Sequence, residues 1–129
     1  IAYVLHRAEE LQIRDKLVVI AQSEMGRTPD YNKGNGKDHW SIGSAMFIGP
    51  DITGNRTLGA TDDGQFLKPV DPETLALAPD PGSKTALRVR PEHLHHSLRQ
   101  HAKIETHPFS KKFPFLIPET EHLQNFFTT

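Results

Sequence analysis

Two short polar segments carry the side chains that are best suited to chemistry. Residues 23–29 read Ser-Glu-Met-Gly-Arg-Thr-Pro, and residues 38–40 read Asp-His-Trp. Glu24 and His39 supply a carboxylate and an imidazole, which can share a borderline divalent cation. Arg27 supplies a planar guanidinium, which can hold an anion through two parallel hydrogen bonds. These residue types therefore have the chemistry to bind a cation or an anion.

The first of these segments follows an apolar run of strand length. Residues 17–21 read Leu-Val-Val-Ile-Ala, a pattern typical of a parallel strand covered on both faces. Ligands of open α/β sheets bind in the crevice outside the carboxyl ends of such strands. We therefore expect residues 23–29 to line a crevice.

The first half of the chain alternates between apolar and polar segments. Helical spacing predicts a helix over residues 2–14, followed by a strand over residues 16–22. Residues 23–41 are rich in Gly, Asn and charge, which indicates a long loop. The apolar residues 44–49 predict a second buried strand, and residues 57–67 a small hairpin.

Prolines shape the second half. Pro69, Pro72, Pro79 and Pro81 predict a surface connection with only local order. A helix is expected to begin at Pro91, because proline in the first helical position loses no hydrogen bond. The aromatic, proline-broken residues 109–129 are expected to wrap back over the core as an ordered tail.

The expected C-terminal helix is rich in histidine. His93 and His96 lie three residues apart on one face, with His95, His101 and His107 nearby. Such a cluster can chelate a divalent ion, although no carboxylate completes it cleanly. The alternative, which we prefer, is a solvated helix face that gains positive charge at mildly acidic pH.

Composition narrows the classes of function. Fifteen basic and sixteen acidic side chains give a formal net charge of −1, which argues against an electrostatic nucleic-acid surface. No apolar run approaches the roughly twenty residues that a membrane-spanning helix needs. The chain has no cysteine, so any metal must be bound by His, Asp or Glu.

The layout favours one α/β domain that is a fragment, because helical spacing starts almost at Ile1 without a cap or lead-in. We expect residues 1–68 to form an α/β core with the site loop. Residues 69–90 are the proline-rich connection, and residues 91–129 the C-terminal helix and aromatic tail.

Three segments together resemble the C-terminal part of the DUF1501 family. They are residues 17–29, residues 38–40 and the Gly-Ala-Thr-Asp run of residues 59–62. The family is a relative of the alkaline phosphatase and sulfatase superfamily, so the resemblance implies the C-terminal part of a three-layer α/β/α sheet. It also implies a protein exported to the periplasm of bacteria.

The resemblance assigns roles to individual residues. Glu24, Asp38 and His39 become ligands of a divalent metal such as zinc, manganese or calcium, with Asp38 alternatively orienting the His39 ring. Arg27 becomes the clamp on a small anionic ester substrate. The implied activity is metal-dependent hydrolysis of phosphate or sulfate esters. The family's nucleophile falls upstream of Ile1, so the fragment alone is expected to be inactive.

Each of these residues also has a structural interpretation. Glu24 and Arg27 could pair with one another or cap a turn, Asp38 could be an ordinary turn residue, and His39 could pack in the core beside Trp40. The competing functional hypothesis is a non-catalytic exported protein that keeps the fold and binds glycan or protein.

Overall fold

The computed structural model describes residues 1–128, which form two compact units. The first unit contains residues 1–54 and 63–66, and the second contains residues 55–62 and the chain from Leu67 onwards. Helices and small antiparallel sheets are mixed, which is consistent with the expected α/β class.

The elements are short. The six strands are β1 Val19–Gln22, β2 Gly26–Arg27, β3 His39–Trp40, β4 Ala45–Ile48, β5 Ala60–Thr61 and β6 Leu67–Lys68. The three α-helices are α1 Ala2–Glu10, α2 Pro91–His101 and α3 Pro108–Lys112, with 3₁₀ turns at Arg14–Lys16 and Glu119–Glu121. None of the helices within residues 1–128 is long and apolar enough to cross a membrane.

Helix α1 confirms the predicted N-terminal helix but is shorter than expected. It buries Ala8 and ends at Glu10. Gln12 then takes the left-handed backbone conformation, with a φ of 56°, which a continuing α-helix does not allow. The chain turns there through the 3₁₀ turn and enters β1.

Strand β1 corrects the expectation of a parallel strand covered on both faces. It pairs antiparallel with β4, with Val19 opposite Ile48 and Gln22 opposite Ala45, in a sheet of two strands. Ile20 is 40% exposed and Met46 is 52% exposed, so the second strand is not fully buried either. Parallel pairing needs a crossover connection, usually a helix. Residues 23–44 contain a β-hairpin instead, and the chain returns antiparallel.

The second unit holds most of the buried apolar residues. Strands β5 and β6 pair antiparallel and confirm the predicted hairpin. Val70 is fully buried and exchanges two backbone hydrogen bonds of 2.8 Å with Leu87. Around it the core contains Leu75, Leu87, Leu123 and Phe126.

The proline-rich segment is therefore not simply a surface connection. Pro69, Val70, Pro72 and Leu75 are all buried, so the prediction was wrong for residues 69–75, whereas Pro79 and Pro81 are exposed as expected. Proline cannot donate a backbone hydrogen bond, but an isolated bridge between strands requires few donors. The segment can accordingly pair through Val70 and bury Pro69 and Pro72 at the same time.

A turn within this segment depends on one carboxylate. Asp71 Oδ1 accepts hydrogen bonds from the backbone N–H of Glu73 at 2.9 Å and of Thr74 at 2.8 Å. The turn leads into Leu75, which is buried despite a φ of 61°. That conformation is unfavourable for a bulky residue, so the hydrogen bonds of Asp71 help to hold the backbone that places Leu75 in the core.

We expect Asp71→Ala to lower the thermal stability of the second unit at pH 7. The hydrogen bond from the backbone N–H of Thr74 is the main reason that the pKa of Asp71 lies below its ordinary value. The ionised form is therefore the stabilising one, and its contribution, present above about pH 4, is lost as the pH falls below that value. Unfolding temperatures at pH 7 and pH 3 should differ less in the variant than in the wild type.

Asp30→Ala is the control, because the Asp30 carboxylate makes no hydrogen bond within residues 1–128. An equal loss of stability in both variants would contradict the role of Asp71 in the turn.

The C-terminal elements confirm part of the predicted tail. Helix α2 begins at Pro91 as expected. Leu123 and Phe126 are buried as a wrapped tail requires, whereas Phe113 and Leu116 are 60% and 90% exposed. The tail thus docks through its last residues, and Thr129 lies outside the described residues.

Candidate functional site

Residues 23–41 are not the long loop that we expected, because they contain a short hairpin. Strands β2 and β3 pair antiparallel, with Gly26 opposite Trp40 and Arg27 opposite His39. One step further, Thr28 donates its backbone N–H to the Asp38 carbonyl at 3.0 Å. The hydroxyl of Thr28 accepts the Asp38 backbone N–H at 3.1 Å. The hairpin thus brings the two polar segments together.

Arg27 and His39 share one face of this hairpin. Directly opposite residues of an antiparallel pair point to the same side, with Cβ atoms about 5 Å apart. Both side chains are exposed. Arg27 donates one hydrogen bond to the Lys37 carbonyl at 3.4 Å. Since a guanidinium has five N–H donors, others remain for a ligand. The pair therefore presents an imidazole and free guanidinium donors to solvent, side by side.

Asp38 has a structural partner. Its Oδ1 accepts from the side-chain amide of Asn32 at 2.7 Å, and Asn32 Oδ1 accepts the backbone N–H groups of Gly34 and Gly36 at 2.9 and 3.1 Å. Asn35 takes a left-handed φ of 60° at the tip. The glycine-rich tip is accordingly a hydrogen-bonded turn, and Asp38 contributes to its shape.

Glu24 projects from the turn that precedes β2. Ser23 Oγ donates to the Met25 carbonyl at 2.9 Å and shapes that turn. Glu24 is exposed and makes no hydrogen bond or ion pair within residues 1–128. The structural interpretation in which it pairs with Arg27 is therefore wrong.

The packed aromatic residue of this segment is Trp40. Its Nε1 donates to the Gln65 carbonyl at 3.0 Å, and its ring meets the edge of Phe66 with centroids 5.3 Å apart. His39, its neighbour, is exposed. Successive residues of a strand point to opposite faces, so packing Trp40 inward turns His39 outward. The core-histidine interpretation was wrong for this reason.

The described residues do not make a complete metal centre. Across residues 1–128 there is no group of three or more His, Asp or Glu side chains that could hold an ion. Catalytic zinc sites in proteins use three protein ligands, and structural sites use four. Glu24, Asp38 and His39 do not form such a group there, and the Asp38 carboxylate accepts a hydrogen bond from Asn32.

A cleft in the first unit lies away from the predicted crevice. Gly49 and Pro50 follow β4, and the antiparallel register places the end of β4 beside the start of β1. The cleft is lined by Glu9, Gln12, Arg14, Asp15, Gly49 and Pro50. It therefore adjoins the end of the sheet opposite Ser23 and Glu24.

The histidine-rich helix corrects our preference for a solvated face in part. His95 is exposed as expected, but His93 is fully buried. Its Nδ1 accepts the backbone N–H of Arg90 at 2.9 Å, and its Nε2 lies 3.0 Å from Glu121 Oε2. An acceptor Nδ1 leaves the proton on Nε2, which donates to the carboxylate. Sequence reasoning missed this buried pair, because Glu121 lies 28 positions beyond His93.

Comparison with known proteins identifies a family. The model of a family described as a protein of unknown function, DUF1501, matches residues 2–77. No curated protein and no solved structure matches the chain. The matched residues include the whole β2–β3 hairpin.

Proposed function

Because the chain belongs to the DUF1501 family, we propose that it is part of a metal-dependent hydrolase of phosphate or sulfate esters with an alkaline-phosphatase-like α/β/α fold. The observation that supports this best is the cross-strand pair of Arg27 and His39. It sets an anion-binding group beside a metal-binding group on an exposed face. The proposal includes export to the bacterial periplasm, which rests on the resemblance to exported relatives.

The proposed role of each residue follows from the side-chain groups that are not already used in hydrogen bonds. Arg27 holds two oxygens of the phosphoryl or sulfuryl group through its unused donors. The side chains of His39 and Glu24 are exposed and make no hydrogen bond or ion pair within residues 1–128. In this proposal each of them is one ligand of a divalent cation. Asp38 supports the hairpin through Asn32. The other ligands and the nucleophile lie outside the described residues, as the resemblance implies.

Elemental analysis of the longest purifiable form of the protein tests this proposal. We expect near-stoichiometric zinc, manganese or calcium in the wild type and at least a tenfold lower content in His39→Ala, because the variant lacks the imidazole ligand. His6→Ala is the matched control, since His6 is also exposed but lies on α1. It should keep the wild-type metal content.

The same measurement has an outcome that overturns the proposal. If wild type and variants are folded, as judged by circular dichroism, and none contains metal, the metal-dependent activity is rejected. Metal that persists in His39→Ala would reject the assignment of His39 alone. A positive result would justify a screen of phosphate and sulfate esters with Arg27→Lys, which keeps the charge but not the two-pronged geometry.

A non-catalytic protein that binds glycan or protein is the second candidate. Tyr31 favours it, because the residue is 68% exposed on the hairpin loop with the Lys37 ammonium 5.2 Å from its ring centre. An exposed aromatic ring offers a flat apolar surface for a ligand. Metal-free protein that binds an oligosaccharide, with binding lost in Tyr31→Ala, would support this candidate.

A further inference from the structure

The last residues of the chain are held against helix α2 by histidines. We call this set of contacts the histidine clasp. It consists of His93 with Glu121, His96 with His122, and His101 with Phe127. The ring centres are 4.0 Å apart in the His96–His122 pair and 4.2 Å apart in the His101–Phe127 pair. Three histidines of one helix thus contact three residues of one segment, residues 121–127.

The surroundings of the His96–His122 pair disfavour a positive charge on either ring. The two rings are tilted by 32°, so protonating both would place two positive charges at stacking distance. The Nδ1 atom of His96 is buried and has no hydrogen-bond partner within residues 1–128. A protonated ring would carry an N–H at this buried position without an acceptor, which disfavours the charged form of His96.

The surrounding charges favour the neutral form as well. Burial is the main cause that lowers the pKa of His96, followed by the positive charge that His122 can carry. Arg99 and His93, on the same helix, act in the same direction, and only Glu105 opposes them.

The carboxylate of Glu121, on the opposing segment, is hydrogen-bonded to two other side chains. Glu121 Oε2 accepts from His93 at 3.0 Å and from the Arg90 guanidinium at 3.3 Å. Its charge therefore faces His93 and Arg90, and Glu121 is not among the groups that shift the pKa of His96.

We propose that the histidine clasp is a pH-sensitive device that holds residues 121–127 on helix α2 at neutral pH and releases them in mildly acidic solution. The sign follows from linkage. A histidine whose pKa is lower in the docked state than in the released state binds its proton preferentially after release. Docking is then at full strength above about pH 7 and weakens as the pH falls below about 6.5, the usual histidine pKa.

Release would expose apolar surface. Leu123 and Phe126 are 5% and 9% exposed in the docked segment, and both would reach solvent when it detaches. Acidification would thereby uncover a hydrophobic patch on the second unit.

Amide hydrogen exchange, corrected for the intrinsic effect of pH, tests the proposal at pH 7.5 and 5.5. The reporter is the backbone N–H of Gln124, which donates to the Pro72 carbonyl at 2.8 Å. We expect its protection to fall at least tenfold at pH 5.5. The N–H of Leu87, bonded to Val70 in the core, should stay protected, which separates local release from unfolding.

Two variants tie the response to the stacked pair. His122→Phe and His96→Phe each keep an aromatic ring but remove one ionisable group, so the pH response of Gln124 should largely disappear. His6→Phe, on α1, is the control and should respond like the wild type. Unchanged protection of Gln124 in the wild type at pH 5.5 overturns the proposal. A full response that persists in both folded clasp variants overturns it as well.

Discussion

Gly26→Ala should disrupt the β2–β3 hairpin and destabilise the first unit by about 3 kcal/mol, the upper end of what overpacking usually costs. A Cβ at this position would lie 1.9 Å from the carbonyl oxygen of Ile42 and 3.0 Å from that of Trp40. Both atoms belong to the backbone, so no side chain can rotate away to make room. The strands must separate, and Arg27 would lose its position opposite His39.

The chain offers a direct readout and a matched control. Trp40 is the only tryptophan and lies opposite Gly26, so its fluorescence in a urea titration reports on this hairpin. Gly43→Ala is the control, because its nearest heavy atom would be 3.8 Å away, an ordinary contact. We expect a clearly lower urea midpoint for Gly26→Ala and a midpoint close to wild type for Gly43→Ala. Similar midpoints for the two variants would show that the backbone does not approach Gly26 closely.

The sequence predicted the elements whose signals are local. Helix α2 begins at Pro91, strands β1 and β4 lie within the two predicted strands of residues 16–22 and 44–49, and β5 and β6 form the expected hairpin. Proline at a helix start and short apolar runs ended by turn residues depend on neighbouring residues only. Such signals can be recognised without knowing the tertiary structure.

Pairing direction and burial could not be predicted in the same way. An apolar run such as residues 17–21 is compatible with a parallel strand covered on both faces or with a half-exposed antiparallel one. The choice depends on the connection between the strands, and here that connection contains the hairpin of Gly26–Arg27 and His39–Trp40. Strands of two residues carry almost no periodic signal, so the hairpin was mistaken for a loop.

The candidate site shows the same division. Residue types singled out Arg27 and His39, and their separation of twelve positions gave no reason to expect direct pairing. Asp38 was expected near the metal, yet its carboxylate binds Asn32. Metal binding by Glu24, Asp38 and His39 stays a prediction, which the metal content of His39→Ala tests.

The histidine-rich helix was the hardest part to interpret from sequence. Histidine has intermediate burial preferences, so spacing alone does not distinguish a solvated face from a packed one. In the histidine clasp, His93, His96 and His101 contact residues 121–127, which lie more than twenty positions away. Long-range pairing of this kind leaves no mark on the helix itself.

His93→Ala should have the second large effect, a loss of about 3 kcal/mol in the free energy of unfolding of the second unit. The side chain is fully buried, and truncating a large buried side chain leaves a cavity. It also removes the acceptor for the Arg90 backbone N–H and the donor to Glu121, and unsatisfied buried groups typically cost about 1–3 kcal/mol. Helix α2 would lose its first-turn hydrogen bond and its link to the C-terminal segment together.

A neighbouring histidine separates this role from a general effect of removing imidazole rings. His95 lies on the same helix but is exposed, and its described contact is a stack on Phe115 with ring centres 6.1 Å apart. His95→Ala should therefore cost less than about 1 kcal/mol in chemical denaturation followed by circular dichroism. Leu123 and Phe126, which are buried in the second unit, should become accessible to a hydrophobic dye only in His93→Ala. Equal destabilisation by both substitutions would contradict the role of the buried His93–Glu121 contact in holding the C-terminal segment, because alanine has the higher helix propensity at either position.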